Sequence, residues 1–114
     1  MSNIVEYKDY VGNVEISESD GSLYGQVMGI KALISYEGKT ARELIKDFHD
    51  AVDDYLALCA AENKEPETYT GCFQVSIPPE MHRDAIIYAT THQTTIDSIV
   101  QSVLQHALSS KSYI

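Results

Sequence analysis

Basic residues are scarce in this 114-residue chain: 8 Lys and Arg stand against 17 Asp and Glu, a net charge of −9. That balance argues against a generic nucleic-acid binder, which needs positive charge to displace phosphate counterions. Cysteine is also sparse. Cys59 and Cys72 have no His or Cys partner at metal-ligand spacing, so they read as free thiols of a reducing compartment. No apolar run approaches the length of a membrane span. The opening residues, MSNIVEYKDYVG, carry neither a basic start nor an apolar segment, so no secretory leader is expected. The expected location is therefore the cytoplasm, with no membrane partner.

What is present is the composition of an ordinary globular protein, 44% hydrophobic and 22% charged, at a length that suits one compact domain or two small ones. The charge is uneven. Residues 1–70 hold 6 Lys and Arg against 14 Asp and Glu, whereas residues 71–114 hold 2 against 3. The acidity thus belongs to the first part, where it can steer a basic partner or simply aid solubility.

Residues 3–38 are β-rich. Tyr10–Ser17 carries Val11, Val14 and Ile16 among polar neighbours, and Ser19-Asp20-Gly21 is a hairpin-turn signal. Leu23–Met28 reads as a second strand with Gly25 as a bulge, Leu33–Tyr36 as a third, and Ile4–Tyr7 as a short edge strand. Thr40-Ala41-Arg42-Glu43 fits a capping box. It opens a helix with Leu44, Ile45, Phe48, Val52, Tyr55, Leu56 and Cys59 at spacings of three and four, ending near Glu62-Asn63. The polar segment 64–70, KEPETYT, reads as a linker.

Residues 71–108 then order themselves as a strand and two helices. Phe73, Val75 and Ile77 alternate with Cys72, Gln74 and Ser76, giving one apolar and one polar face. Pro78 and Pro79 end the strand and start a helix to about His92. A second helix runs from Thr94 or Thr95 to about Ser109, with Ile96, Ile99, Val100, Val103, Leu104, Ala107 and Leu108 as a broad apolar stripe. A lone strand leaves backbone groups unpaired, and about 40 residues lie near the lower limit for independent folding. A second copy resolves both problems by forming an antiparallel ribbon over four helices. The fold class expected is α+β: a three- or four-stranded antiparallel sheet with one long helix, followed by a ribbon-helix-helix dimerisation domain.

The stretches YVGNVEISESDGSLYGQVMGI, ISYEGKTARELIKDFHDAVDDYLALCAAENKEPE and GCFQVSIPPEMHRDA carry a resemblance. The second half is similar to the ribbon-helix-helix of Arc/MetJ-type repressors, and the whole chain resembles HicB-family type II antitoxins. The resemblance implies a partial RNase H-like, toxin-binding domain over residues 1–66 and a dimerising, DNA-binding ribbon-helix-helix over 67–114. It implies an antitoxin that neutralises a small, basic HicA-type RNase toxin and autoregulates its operon. The implied partners are a second copy, with higher oligomers open, the toxin and operator DNA.

The candidate residues follow from these readings. Outward ribbon positions Cys72, Gln74 and Ser76 face the major groove in a ribbon reader. Thr94 and Thr95 cap the last helix, whose free N–H groups suit a phosphate. Ribbon readers of this family usually offer Arg or Lys, and this face has none. With Arg83 and Lys111 the only basic side chains of residues 71–114, DNA binding is expected to be weak or toxin-assisted. The dimer core is expected from Phe73, Val75, Ile77, Ile96, Ile99, Val100 and Val103. Tyr7, Tyr10 and Tyr24 are the toxin-binding candidates, since tyrosine favours interfaces. Asp47, Asp50, Asp53 and Asp54 cluster near His49, but that spacing also describes a solvated helix face. No catalytic role, metal or cofactor is expected. The competing readings are a stand-alone ribbon-helix-helix regulator whose first domain binds a ligand or protein and, more remotely, an RNase H-like nuclease.

Overall fold

The structure, a computed structural model, describes residues 3–109. The chain divides after Cys72 into two compact units, so the first unit runs past the expected boundary at residue 66.

In the first unit, β1 (Ile4–Tyr7) and β2 (Tyr10–Asn13) pair antiparallel, with Tyr7 opposite Tyr10. Lys8 and Asp9 alone make the turn, both left-handed at φ 50° and 69°. A two-residue turn with both φ values positive matches the twist of the flanking strands. Without glycine it is strained.

The strand expected over Tyr10–Ser17 is two strands. After Asn13 the chain leaves β1 and, as β3 (Glu15–Ile16), pairs with β4 (Leu23–Gln26). β5 (Ser35–Gly38) flanks β4 on its other side, giving the order β3-β4-β5. A bridge between Gly12 and Val27, and a 2.8 Å bond from Met28 N–H to Val11 O, tie the two ladders together. Gly25 is not a bulge: it sits in unbroken register opposite Tyr36. Its bare backbone admits the crossing strand, because a Cβ there would lie 2.0 Å from Asn13 O. The Asp20-Gly21 turn forms as the sequence predicts. Gly21 has φ 74°, and Asp20 Oδ1 accepts from Ser22 N–H and Oγ–H at 3.0 and 2.8 Å.

Helix α1 (Ala41–Ala61) begins at Thr40, whose Oγ1 accepts from Glu43 N–H at 3.1 Å. Glu43 Oε1 accepts from Lys39 N–H at 3.0 Å, one residue before the position a capping box uses. Leu44, Phe48 and Val52 follow at a spacing of four, so one face of α1 is apolar. They are fully buried against Tyr10, Val27, Ile34 and Tyr36. Each such side chain contributes about 1.5–3 kcal/mol of burial. The helix stops with Asn63 in the left-handed region, and Lys64 N–H bonds to Cys59 O at 2.8 Å. This is a Schellman closure.

The polar segment 64–70 is a bonded strap rather than a free linker. Glu67 uses every backbone and side-chain polar group it has. Its carboxylate accepts from Lys31 and Ala32 N–H at 2.7 and 2.8 Å. Its N–H donates to Tyr55 OH at 2.9 Å, and its carbonyl accepts from Tyr10 OH. Tyr69 OH bridges Val11 N–H and Met28 O, at 3.2 and 2.7 Å.

The second unit holds α2 (Pro79–Thr91) and α3 (Ile96–Ser109). Pro79 stands at the start of α2, where its missing N–H is no loss. Gln93, at φ 53°, turns the chain, and Thr94 N–H closes α2 on Ala89 O at 2.9 Å. Residues 72–78 form no ladder within one chain, so the ribbon expected over Cys72–Ile77 is not formed by a single copy.

Candidate functional site

Two surfaces stand out, one on each unit. On the first unit, cross-strand pairing sets Glu15 opposite Tyr24 and Tyr24 opposite Glu37. Directly paired residues share a face. Gln26 opposite Ser35 continues the same face, and all five side chains are exposed. The other face carries Tyr36 and Val27 into the core beneath α1. The open face lines a concavity of about 730 Å³ with Asn13, and Asp47 stands at its rim. Asp47 Oδ2 accepts from Glu37 N–H at 2.9 Å, so an α1 carboxylate covers that point of β5.

The three tyrosine candidates separate. Tyr10 is buried, 3% exposed, and bonded to the strap, so it is a core residue and offers no surface to a partner. Tyr7 is half-buried at the hairpin tip. Its ring stacks on His49 with centroids 3.9 Å apart, and its OH donates to Asp53 Oδ2 at 3.1 Å. Tyr24 is 48% exposed at the centre of the open face.

The acidic residues of α1 do not converge. Asp53 pairs with Lys8 at 2.8 Å, and Asp50 with Lys46 at 2.9 Å. Asp47 is bonded to β5. The Lys8 hydrogen bond holds the Asp53 carboxyl below its ordinary value of 3.8, as an adjacent cation does. Among the described residues no group of three or more His, Cys, Asp or Glu is placed to hold a metal. His49 packs on Tyr7 as a boundary residue.

The second unit is nearly without a core. Ala89 is its only buried hydrophobic residue among those described. Phe73 is 74% exposed, Val75 65% and Val103 61%. Ile77, Val100, Leu104 and Leu108 are exposed too, while Ile96 and Ile99 are half-buried. Apolar area of this extent on so small a unit marks an interaction surface. Cys72, Gln74 and Ser76 are exposed. Thr95 is the cap of α3: its Oγ1 accepts from Ser98 N–H at 3.1 Å. Thr94 is half-buried in the turn. Arg83 is exposed on α2, and Lys111 lies outside the described residues.

Glu67 and Tyr69 anchor the strap to the first unit, and sequence reasoning misses both. Apart from Tyr55, 12 residues from Glu67, their partners lie 35–58 residues away in the chain, so no local pattern reveals them. No helix among the described residues is long and apolar enough to cross a membrane.

Comparison with known proteins adds one match. The family model described as HicB family matches residues 55–104, from the last turns of α1 through the strap and α2 into α3. The match bears out the HicB-family resemblance and agrees, at the level of the family, with an antitoxin. It does not reach the sheet. No curated protein and no solved structure matches the chain.

Proposed function

We propose that this HicB-like chain is a cytoplasmic antitoxin, not an enzyme. Its first unit, in the manner of a partial RNase H-like domain, binds and neutralises a small basic RNase toxin of the HicA type. Its second unit pairs with a second copy as a ribbon-helix-helix, and the dimer binds the operator of its own operon.

The observation that carries this reading is the thinly buried second unit, which lies largely within the stretch that the HicB model matches. Phe73, Val75 and Ile77 alternate along a segment without a ladder partner, and Val100, Val103 and Leu104 are exposed on α3. A second copy supplies both a strand for the ribbon and cover for α3, and obligate dimers commonly have no stable folded monomer. The dimer core is Phe73, Val75, Ile77, Ile96, Ile99, Val100 and Val103. Cys72, Gln74 and Ser76 then project from the ribbon, with the Thr95 cap of α3 for phosphate. With no Lys or Arg on the ribbon, operator binding is weak or assisted by the toxin's charge.

Two measurements test the reading. Val75→Asp or Val100→Asp should abolish the dimer in sedimentation, since each would bury an unpaired charge. A wild-type dimer in both variants refutes the ribbon. Co-expression with the neighbouring reading frame should yield a stable complex and relieve toxicity. A harmless neighbour that does not co-purify would leave a stand-alone regulator as the better reading.

A further inference from the structure

We propose that the open face of β3-β4-β5 is a seat for an arginine side chain of a basic protein partner, with Tyr24 as its floor and Glu15 and Glu37 as its walls. This deepens, and rests on, the reading of the first unit as the binder of a basic toxin.

The register builds the seat. Glu15, Tyr24 and Glu37 lie directly opposite one another on three adjacent strands, so an aromatic ring is flanked on both sides by a carboxylate. Neighbouring strands are about 4.8 Å apart, which sets the two carboxylate-bearing positions roughly 9.6 Å apart across the tyrosine. Tyr24 is 48% exposed. The concavity over it has room for a side chain, and no Lys or Arg lines it. Among the described residues the two ion pairs lie elsewhere, at Lys8–Asp53 and Lys46–Asp50. Neither the Glu15 nor the Glu37 carboxylate has a hydrogen-bond or ion-pair partner there. Two unpaired carboxylates about one aromatic ring, in a unit already strongly acidic, repel each other and attract a cation.

The shape selects which cation. A guanidinium is planar, stacks on an aromatic face and offers donors along its edges to carboxylates on either side. An ammonium lacks the plane. A divalent metal needs oxygens converging on one point, which a tyrosine between two strands prevents. Phosphates of a nucleic acid or an anionic membrane would meet like charge.

The test uses the full-length chain, isotope-labelled for NMR, with acetylated hexa-arginine and hexa-lysine amides as probes. Hexa-arginine should shift the Glu15, Tyr24 and Glu37 amides first and bind more tightly than hexa-lysine. Tyr24→Ala, or Glu15→Gln with Glu37→Gln, should weaken it about tenfold, whereas Tyr24→Phe should retain it. Asp50→Asn with Asp54→Asn on α1 should change it less than about twofold. Shifts centred on α1, or seat variants within about twofold of wild type, overturn the proposal. The protein encoded by the neighbouring frame separates the two readings. If it binds wild type and seat variants alike, the seat is wrong and the antitoxin reading stands. If it does not bind while hexa-arginine still selects Tyr24, the antitoxin reading fails and the seat stands.

Discussion

Replacing Glu67 with Ala should loosen the whole first unit, although the residue lies outside every helix and strand. Its carboxylate accepts two short backbone bonds, from Lys31 at 2.7 Å and Ala32 at 2.8 Å. A hydrogen bond to a charged group contributes about 1.5–3 kcal/mol, so two set an upper limit of roughly 6 kcal/mol. Exposure lowers that limit. Lys31 is exposed and its N–H regains water, whereas Ala32 is half-buried and its N–H regains less. The expected loss is about 2–3 kcal/mol, or roughly 10–20 °C in melting temperature for a unit of this size. Glu67→Gln keeps one carbonyl acceptor but turns an NH2 donor toward an N–H donor, so it should lose about half as much. Glu65→Ala, on an exposed residue of the same segment, should lose less than about 0.5 kcal/mol. Urea unfolding followed at core signals of Phe48 and Val52 reads the stability. Hydrogen exchange at the Lys31 and Ala32 amides reads the bonds themselves. If Glu67→Ala stays within about 0.5 kcal/mol of wild type, or those amides exchange as before, the strap holds nothing.

The remaining predictions probe other links. Gly25→Ala should destabilise the first unit by about 3 kcal/mol in thermal denaturation, because its Cβ would press on the Asn13 carbonyl at 2.0 Å. A loss under about 1 kcal/mol would show that β2 and β3 give way easily. Burial pushes the Tyr36 hydroxyl from its ordinary value of 10.0 up to about 12. The stability linked to its neutral form is complete below pH 10.0 and is lost as pH rises through about 12. Tyr36→Phe should flatten that alkaline limb in a pH series of unfolding curves. Asp53 acts with the opposite sense. Its lowered value makes a contribution that is present above 3.8 and lost as pH falls through the folded value, and Asp53→Asn should remove that part of the acid slope. Gln93→Gly should stabilise the second unit by about 1 kcal/mol, since glycine adopts a left-handed turn without penalty. A fall in its melting temperature at fixed concentration would contradict this.

Much of the fold is legible because its signals are local. Ile4–Tyr7, the Asp20-Gly21 turn, the Thr40 cap and the starts of α2 and α3 each announce themselves within a few residues. The misreadings arise where long-range contacts decide. Val11, Val14 and Ile16 read as one stretch among polar neighbours, and nothing in that pattern shows that it serves two ladders. The strand expected over Leu33–Tyr36 runs on through Glu37-Gly38, because Leu23 pairs opposite Gly38 in β5. KEPETYT has the polarity of a linker because its polar groups are spent on distant partners. Tyr10 and Tyr24 are alike as letters. Only the pairing shows that one faces α1 and the other faces away. The tyrosine between two glutamates is invisible in sequence, since Glu15, Tyr24 and Glu37 meet only through register.

The thinly buried helix pair of residues 73–109 has one more consequence. If the second unit completes its core with a second copy, as proposed, its folded fraction depends on how much protein is present. Dilution then acts on α2 and α3 as a denaturant, while the sheet and α1, with their own core, are indifferent to it. On that proposal, the chain at low copy number would be a one-armed molecule, able to engage a partner through its first unit but without a ribbon. Above the dissociation constant of the proposed dimer it would gain the second arm. Abundance itself thereby becomes an input that the fold can read.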